Sequence, residues 1–115
     1  MRTVDEVLPP AAASRLADYK RAVEHAVPDV EKLILFGSRA RGEAREDSDY
    51  DVAVVVRGLS DLRHVRRILS DLAYAHILNG FFIRPIPLPS DYLQPQGRRP
   101  TELAEDIIRD GVEVT

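Results

Sequence analysis

The residues best suited to chemistry in this sequence are a Gly37-Ser38 turn, Arg39 beside it, and the carboxylates Asp49 and Asp51. A glycine after a buried strand lets the backbone turn tightly and leaves no Cβ to obstruct a phosphate. Ser38 adds a hydroxyl, and the first amides of the following turn point outward as anion donors. Asp49 and Asp51 lie two apart at the opening of a strand, so both side chains share one face. Paired hard carboxylates suit Mg²⁺ bound to substrate phosphates. Two such ions about 3.5–4 Å apart activate an attacking hydroxyl and neutralise a pyrophosphate leaving group. Read alone, Asp49-Tyr50-Asp51 is equally a solvated turn. The segment is not a Walker A loop, since no Gly-Lys-Ser/Thr follows, and it lacks the glycine spacing of a dinucleotide-binding turn.

The flanking pattern predicts the elements that must hold these groups. Pro9-Pro10 opens a helix whose apolar face is Leu16, Tyr19, Val23, Ala26 and Val27, and Pro28-Asp29 stops it. Residues 30–36 read as a buried strand, Ser38 to Arg41 as a short helical turn, and residues 43–48 as a polar loop. Tyr50 to Val56 is a second strand, apolar enough for burial on both faces. Ser60-Asp61 caps a helix with Leu62, Val65, Ile68, Leu69 and Leu72 on one side, ended by Asn79-Gly80. Phe81 to Leu88 is a third strand; Pro85 and Pro87 lack amide donors on one edge, which predicts an edge strand. A proline-rich loop over 89–100 precedes a last helix from Thr101 to Arg109, and Val112 to Val114 adds a short terminal strand. The order implies an α/β fold with a small mixed sheet flanked by helices.

The chain has 115 residues, 44% hydrophobic and 30% charged, which fits a single globular domain. No apolar run reaches the length a membrane-spanning helix needs. The first residues lack an apolar signal-peptide core, so cytoplasmic residence and no membrane partner are the expectations. Cysteine is absent, which excludes disulfides, thiolate metal sites and cysteine nucleophiles. The net charge of −3 argues against holding duplex nucleic acid by bulk electrostatics, and nothing else in the sequence points to nucleic acid. His25, His64 and His76 have no metal-ligand spacing, and Tyr19, Tyr74, Phe81 and Phe82 read as core. Apolar edge strands permit a homo-oligomer.

The run Gly37-Ser38-Arg39-Ala40-Arg41-Gly42, a spacer, and Ser48-Asp49-Tyr50-Asp51 together resemble the signature of the DNA polymerase β-like nucleotidyltransferase superfamily, and most of all its minimal nucleotidyltransferase branch, MNT. The likeness spans about residues 30–90, with the core motif at 36–51. It implies a nucleotidyltransferase fold, phosphate binding at Gly37 and Ser38 with help from Arg39, and Mg²⁺ as cofactor on Asp49 and Asp51. It also implies transfer of AMP or another NMP from an NTP, ATP first, to a protein hydroxyl. The setting it implies is the antitoxin half of a pair whose toxin is a HEPN-domain ribonuclease.

One feature departs from that pattern. Active members of the superfamily carry a third carboxylate on a later strand, and residues 81–88 contain no acid, only the cation Arg84. Arg84 would repel a second metal or pair with Asp49 or Asp51. The loop acids Glu43, Glu46 and Asp47 are the available substitutes. Two carboxylates still suffice for one Mg·NTP. The alternative reading is therefore a catalytically weakened member that binds nucleotide or partner. Transfer to a small molecule, as by aminoglycoside nucleotidyltransferases, generally requires a further domain to hold the acceptor.

Overall fold

Where β-branched and aliphatic residues run without interruption, the chain forms strands buried on both sides. In the computed structural model, which describes residues 1–115, β1 (Val30–Phe36) and β2 (Tyr50–Val56) form the centre of a four-stranded sheet. They are antiparallel, with Phe36 opposite Asp51 and Leu33 opposite Val54. β3 (Ile83–Pro89) runs parallel to β2 on one edge, and β4 (Val112–Glu113) runs antiparallel to β1 on the other. Pro85 and Pro87 thus lie in an edge strand, as their missing donors require.

Five helices cover the sheet: α1 (Val4–Val7), α2 (Pro10–Ala26), α3 (Ser38–Arg41), α4 (Leu62–Ile77) and α5 (Glu102–Asp110). Pro10 occupies the first turn of α2, where its missing amide costs nothing. Asp61 caps α4 through Oδ1, which accepts from the His64 amide at 3.1 Å, and Thr101 caps α5 by accepting from the Ala104 amide. The parallel β2–β3 pair is joined through α4, β1 and β2 through the α3 turn and a loop, and β3 and β4 through a loop and α5. None of the helices is long and apolar enough to cross a membrane.

The alternating residues of the sheet divide the core in two. Leu33, Leu35, Tyr50, Val52 and Val54 pack with Leu16, Tyr19, Val23 and Leu69 from α2 and α4. Ile34, Phe36, Ala53, Val55 and Leu88 pack with Ile107 of α5. Full burial of a side chain of this size stabilises by about 1.5–3 kcal/mol, so this double-sided packing is what fixes the strand register. Gly111 ends α5 with a φ of −62°, outside the left-handed region. Its reason is space, because a Cβ there would fall 2.3 Å from the Ile107 carbonyl oxygen and 2.7 Å from Ile34 Cγ2.

Two expectations need correction. Tyr74 and Phe82 are not core: they are 59% and 38% exposed, since α4 packs through Leu69 and Ala73 and turns Tyr74 outward. The third strand begins at Ile83, because Phe81 and Phe82 complete the turn after Gly80, with the Phe81 amide bonded back to the His76 carbonyl. The short helix α1 has no sequence counterpart above. Its neighbourhood is set by the far terminus, where the Glu113 amide donates to the Arg2 carbonyl at 2.7 Å.

The polar atom left alone in this core is Nδ1 of His76, which is enclosed and has no hydrogen-bond partner. Its ring meets Tyr19 edge-on at 6.0 Å and Phe81 at 6.4 Å. Burial holds its pKa below the ordinary value, with the Arg15 charge adding to the effect and Asp18 opposing it. The unfolded chain therefore takes up this proton first as pH falls, so stability should drop as pH goes below about 6.5 and keep dropping until the folded-state pKa is passed. Thermal melts from pH 7.5 to 5 should show Tm falling in wild type, and His76→Phe should flatten that slope.

Candidate functional site

The sheet's second face ends in the groups singled out by sequence. Counting by alternation, Asp51 continues the row of Ala53 and Val55, and Arg84 continues the row of Ile86 and Leu88. The parallel register then sets Asp51 directly beside Arg84. β1 delivers Gly37 to the same end, because Phe36 is paired with Asp51.

Gly37 has a φ of +79°, a conformation only glycine adopts without strain. Space imposes the same choice, since a Cβ on Gly37 would lie 2.5 Å from Asp51 Oδ2. The turn and the carboxylate are therefore packed against each other. Behind Gly37, α3 begins, and the amides of Ala40 and Arg41 both return to the Gly37 carbonyl at 3.1 Å. The amides of Ser38 and Arg39 head this helix and have no carbonyl behind them within it. Gly42 closes the turn at φ +75°, and the Glu43 amide bonds to the Ser38 carbonyl.

Asp49 and Asp51 converge on one cation. Arg84 Nε donates to Asp51 Oδ1 at 2.7 Å, and Arg84 Nη1 lies 3.8 Å from Asp49 Oδ2. Asp51 is 14% exposed at its side chain, whereas Asp49 is 46% and Arg84 62% exposed. The guanidinium acts as a stand-in cation: it shows that the two carboxylates aim close enough to share one positive ion. No group of three or more acids or histidines is placed to hold a metal. Glu43 is ion-paired with Arg41 at 3.2 Å, so this loop acid does not replace the third carboxylate. The residues fit one divalent ion carried in with nucleotide phosphates, and they do not fit two.

The Arg39 side chain is engaged by the loop before β2. Its Nε and Nη2 donate to the Ser48 carbonyl at 3.2 and 3.0 Å, and Nη2 also reaches the Glu46 carbonyl at 3.1 Å. Its guanidinium sits 4.4 Å from the centre of the Tyr50 ring, which stacks on Phe81 at 4.1 Å. Arg39 thus clasps the loop that ends at Asp49. Arg41 bonds Glu43 and Asp110. Asp110 is held below its ordinary pKa, first by Arg109 and then by Arg41. These two roles escaped sequence reasoning, because a guanidinium beside a phosphate turn and one closing a loop look alike in sequence. The spacing of nine residues between Arg39 and Ser48 becomes informative only once the hairpin is known.

Two surface cavities, of about 170 and 310 Å³, lie away from this pair. One is lined by Tyr92, Arg98 and Arg99 and the other by Glu31, Lys32 and Leu93, and neither includes Gly37, Ser38, Asp49 or Asp51. The site is an open ledge at the sheet end.

Comparison with known proteins identifies the family and the fold. Residues 20–115 match the family model described as polymerase beta, nucleotidyltransferase. A Methanocaldococcus jannaschii protein, provisionally named a protein adenylyltransferase, is 29% identical over 72 residues, covering 62% of this chain and 73% of that one. A crystal structure of a toxin–antitoxin with AMP-PNP superposes with a TM-score of 0.60 at 20% identity, covering 86% of this chain and 72% of that one. A nucleotidyltransferase, also provisionally named, from Sulfolobus solfataricus gives 0.58 at 22% identity, covering 90% and 82%. The toxin–antitoxin MntA–HpeT, in a mutant with two aspartates changed to glutamate, gives 0.59 at 18% identity, covering 86% and 72%. At these identities the structures show a shared fold.

The contact between Gly37 and Asp51 has a measurable consequence. Gly37→Ala should destabilise the fold by about 1–3 kcal/mol, from backbone strain and the displaced carboxylate. Urea unfolding measures the loss, and Gly42→Ala is the comparison, since it has a similar φ but nothing within 4 Å of its Cβ. The excess cost at Gly37 reports the packing on Asp51 together with a stricter backbone, since ψ is −161° at Gly37 and 20° at Gly42.

Proposed function

Because the chain belongs to the polymerase beta nucleotidyltransferase family, we propose that it transfers AMP, or another nucleoside monophosphate, from an NTP to a hydroxyl of a partner protein. The observation that supports this most is the packing of the Gly37 turn on Asp51, which brings that turn and a carboxylate pair to one sheet end. The amides of Ser38 and Arg39 and the Ser38 hydroxyl would hold nucleotide phosphates. Asp49 and Asp51 would hold Mg²⁺, which, when bound, neutralises phosphate charge and polarises the phosphorus centre. The acceptor oxygen forms a bond to the α-phosphorus, the α–β phosphoanhydride bond breaks, pyrophosphate leaves, and the hydroxyl proton passes to solvent. Arg39 keeps the loop before Asp49 in place during this exchange.

The open ledge favours a protein acceptor. A small molecule would find no enclosing cavity here, whereas a partner surface would itself cover the nucleotide and exclude water. The similarity to a provisionally named protein adenylyltransferase and to toxin–antitoxin structures supports a toxin as that partner, with a HEPN-type ribonuclease as our assignment. A second reading, that of a weakened member neutralising its partner by binding, is favoured by Arg84 standing where a third carboxylate would face the pair.

Incubating the protein with Mg²⁺, α-labelled ATP and a HEPN partner should label the partner on a hydroxyl side chain. Asp49→Asn and Asp51→Asn should each lower labelling by about 100-fold or more, with Asp51 the costlier because it is the more buried. Absence of label, together with undiminished neutralisation by both variants, would establish the binding reading instead.

A further inference from the structure

The cation shared by Asp49 and Asp51 is part of the chain, and its surroundings determine how it behaves. We infer that Arg84 is a tethered competitor of the divalent ion: metal loads onto the carboxylate pair only as the guanidinium leaves Asp51. This rests on the metal-dependent reading above and specifies how that same site is regulated.

The contact is short enough to be charge-assisted, at 2.7 Å from Arg84 Nε to Asp51 Oδ1. Asp51 cannot turn aside to serve both cations, because its other oxygen packs against the Gly37 turn. Backbone movement offers no escape either. Arg84 is held by the β2–β3 register, and the neighbouring Pro85 and Pro87 have fixed φ angles. What can move is the Arg84 side chain, which is 62% exposed and makes ion pairs only with these two aspartates. The guanidinium stands open to solvent although Asp51 is mostly covered, so it is displaceable and the competition is reversible.

Charge gives the direction. With Arg84 in place, the pair presents one net negative charge to an arriving ion in place of two. A divalent ion added without displacing Arg84 would face a positive charge within a few ångströms, where repulsion is strong. The same charge stabilises the metal-free site, which would otherwise hold two carboxylates in mutual repulsion. Arg84 thus keeps the site assembled before metal arrives and weakens the metal's hold once it does.

The test titrates metal-free protein with Mn²⁺, reading free ion by electron paramagnetic resonance, for wild type, R84K, R84M and R84E. Circular dichroism melts confirm that each is folded. R84M should bind Mn²⁺ about tenfold more tightly than wild type, R84E more tightly still, and R84K close to wild type. Equal affinity in wild type and R84M would overturn the inference, as would R84K binding as tightly as R84M. Partner labelling is scored separately. A wild type that labels its partner but shows no affinity difference leaves the transfer reading standing and removes this one; the expected affinity order without labelling does the reverse.

Discussion

The site depends on a single missing atom group. Because Gly37 has no Cβ, the Asp51 carboxylate can lie against the backbone at the end of β1, in space any other residue would fill. That packing ties the exit of one central strand to the entrance of the next. It also fixes which oxygen of Asp51 remains to meet a cation. The positive φ at the same glycine lets α3 start directly after β1, so one residue sets both the turn and the place of the carboxylate.

The rest of the molecule holds this arrangement in register. β1 and β2 are apolar on both faces, with α2 and α4 on one side and α5 on the other, so a one-residue slip would expose two cores at once. From the site inward runs a line of ring contacts: Arg39 over Tyr50, Tyr50 stacked on Phe81, Phe81 edge-on to His76, and His76 edge-on to Tyr19. Tyr19 ends the line by donating its hydroxyl to the Leu69 carbonyl at 2.9 Å, and burial pushes that phenol's pKa up. The loop before Asp49 is thereby anchored to the larger core rather than left to solvent.

The strands were legible because uninterrupted apolar runs have few alternatives, and the edge position of β3 followed from prolines that cannot donate. The helix starts were legible from Pro10, Asp61 and Thr101, each suited to its cap. Less legible was anything decided by partners distant in sequence. Tyr74 looked like core because aromatic residues usually pack, yet its place on α4 faces outward. The roles of Arg39 and Arg41 depend on carbonyls and carboxylates up to 69 residues away. Arg84 sits between these cases. Its presence in place of an acid was plain from sequence, and its pairing with both aspartates needed the strand register.

We propose that this sheet end accepts one divalent ion with a nucleotide, at the expense of the Arg84 contact. The most direct measurement is a crystal structure with Mg²⁺ and a non-hydrolysable ATP analogue. It should show a single ion between Asp49 and Asp51, phosphates at the Gly37-Ser38 turn, and Arg84 moved off Asp51. Two ions beside an undisturbed Arg84–Asp51 pair, or a nucleotide seated away from the turn, would contradict it.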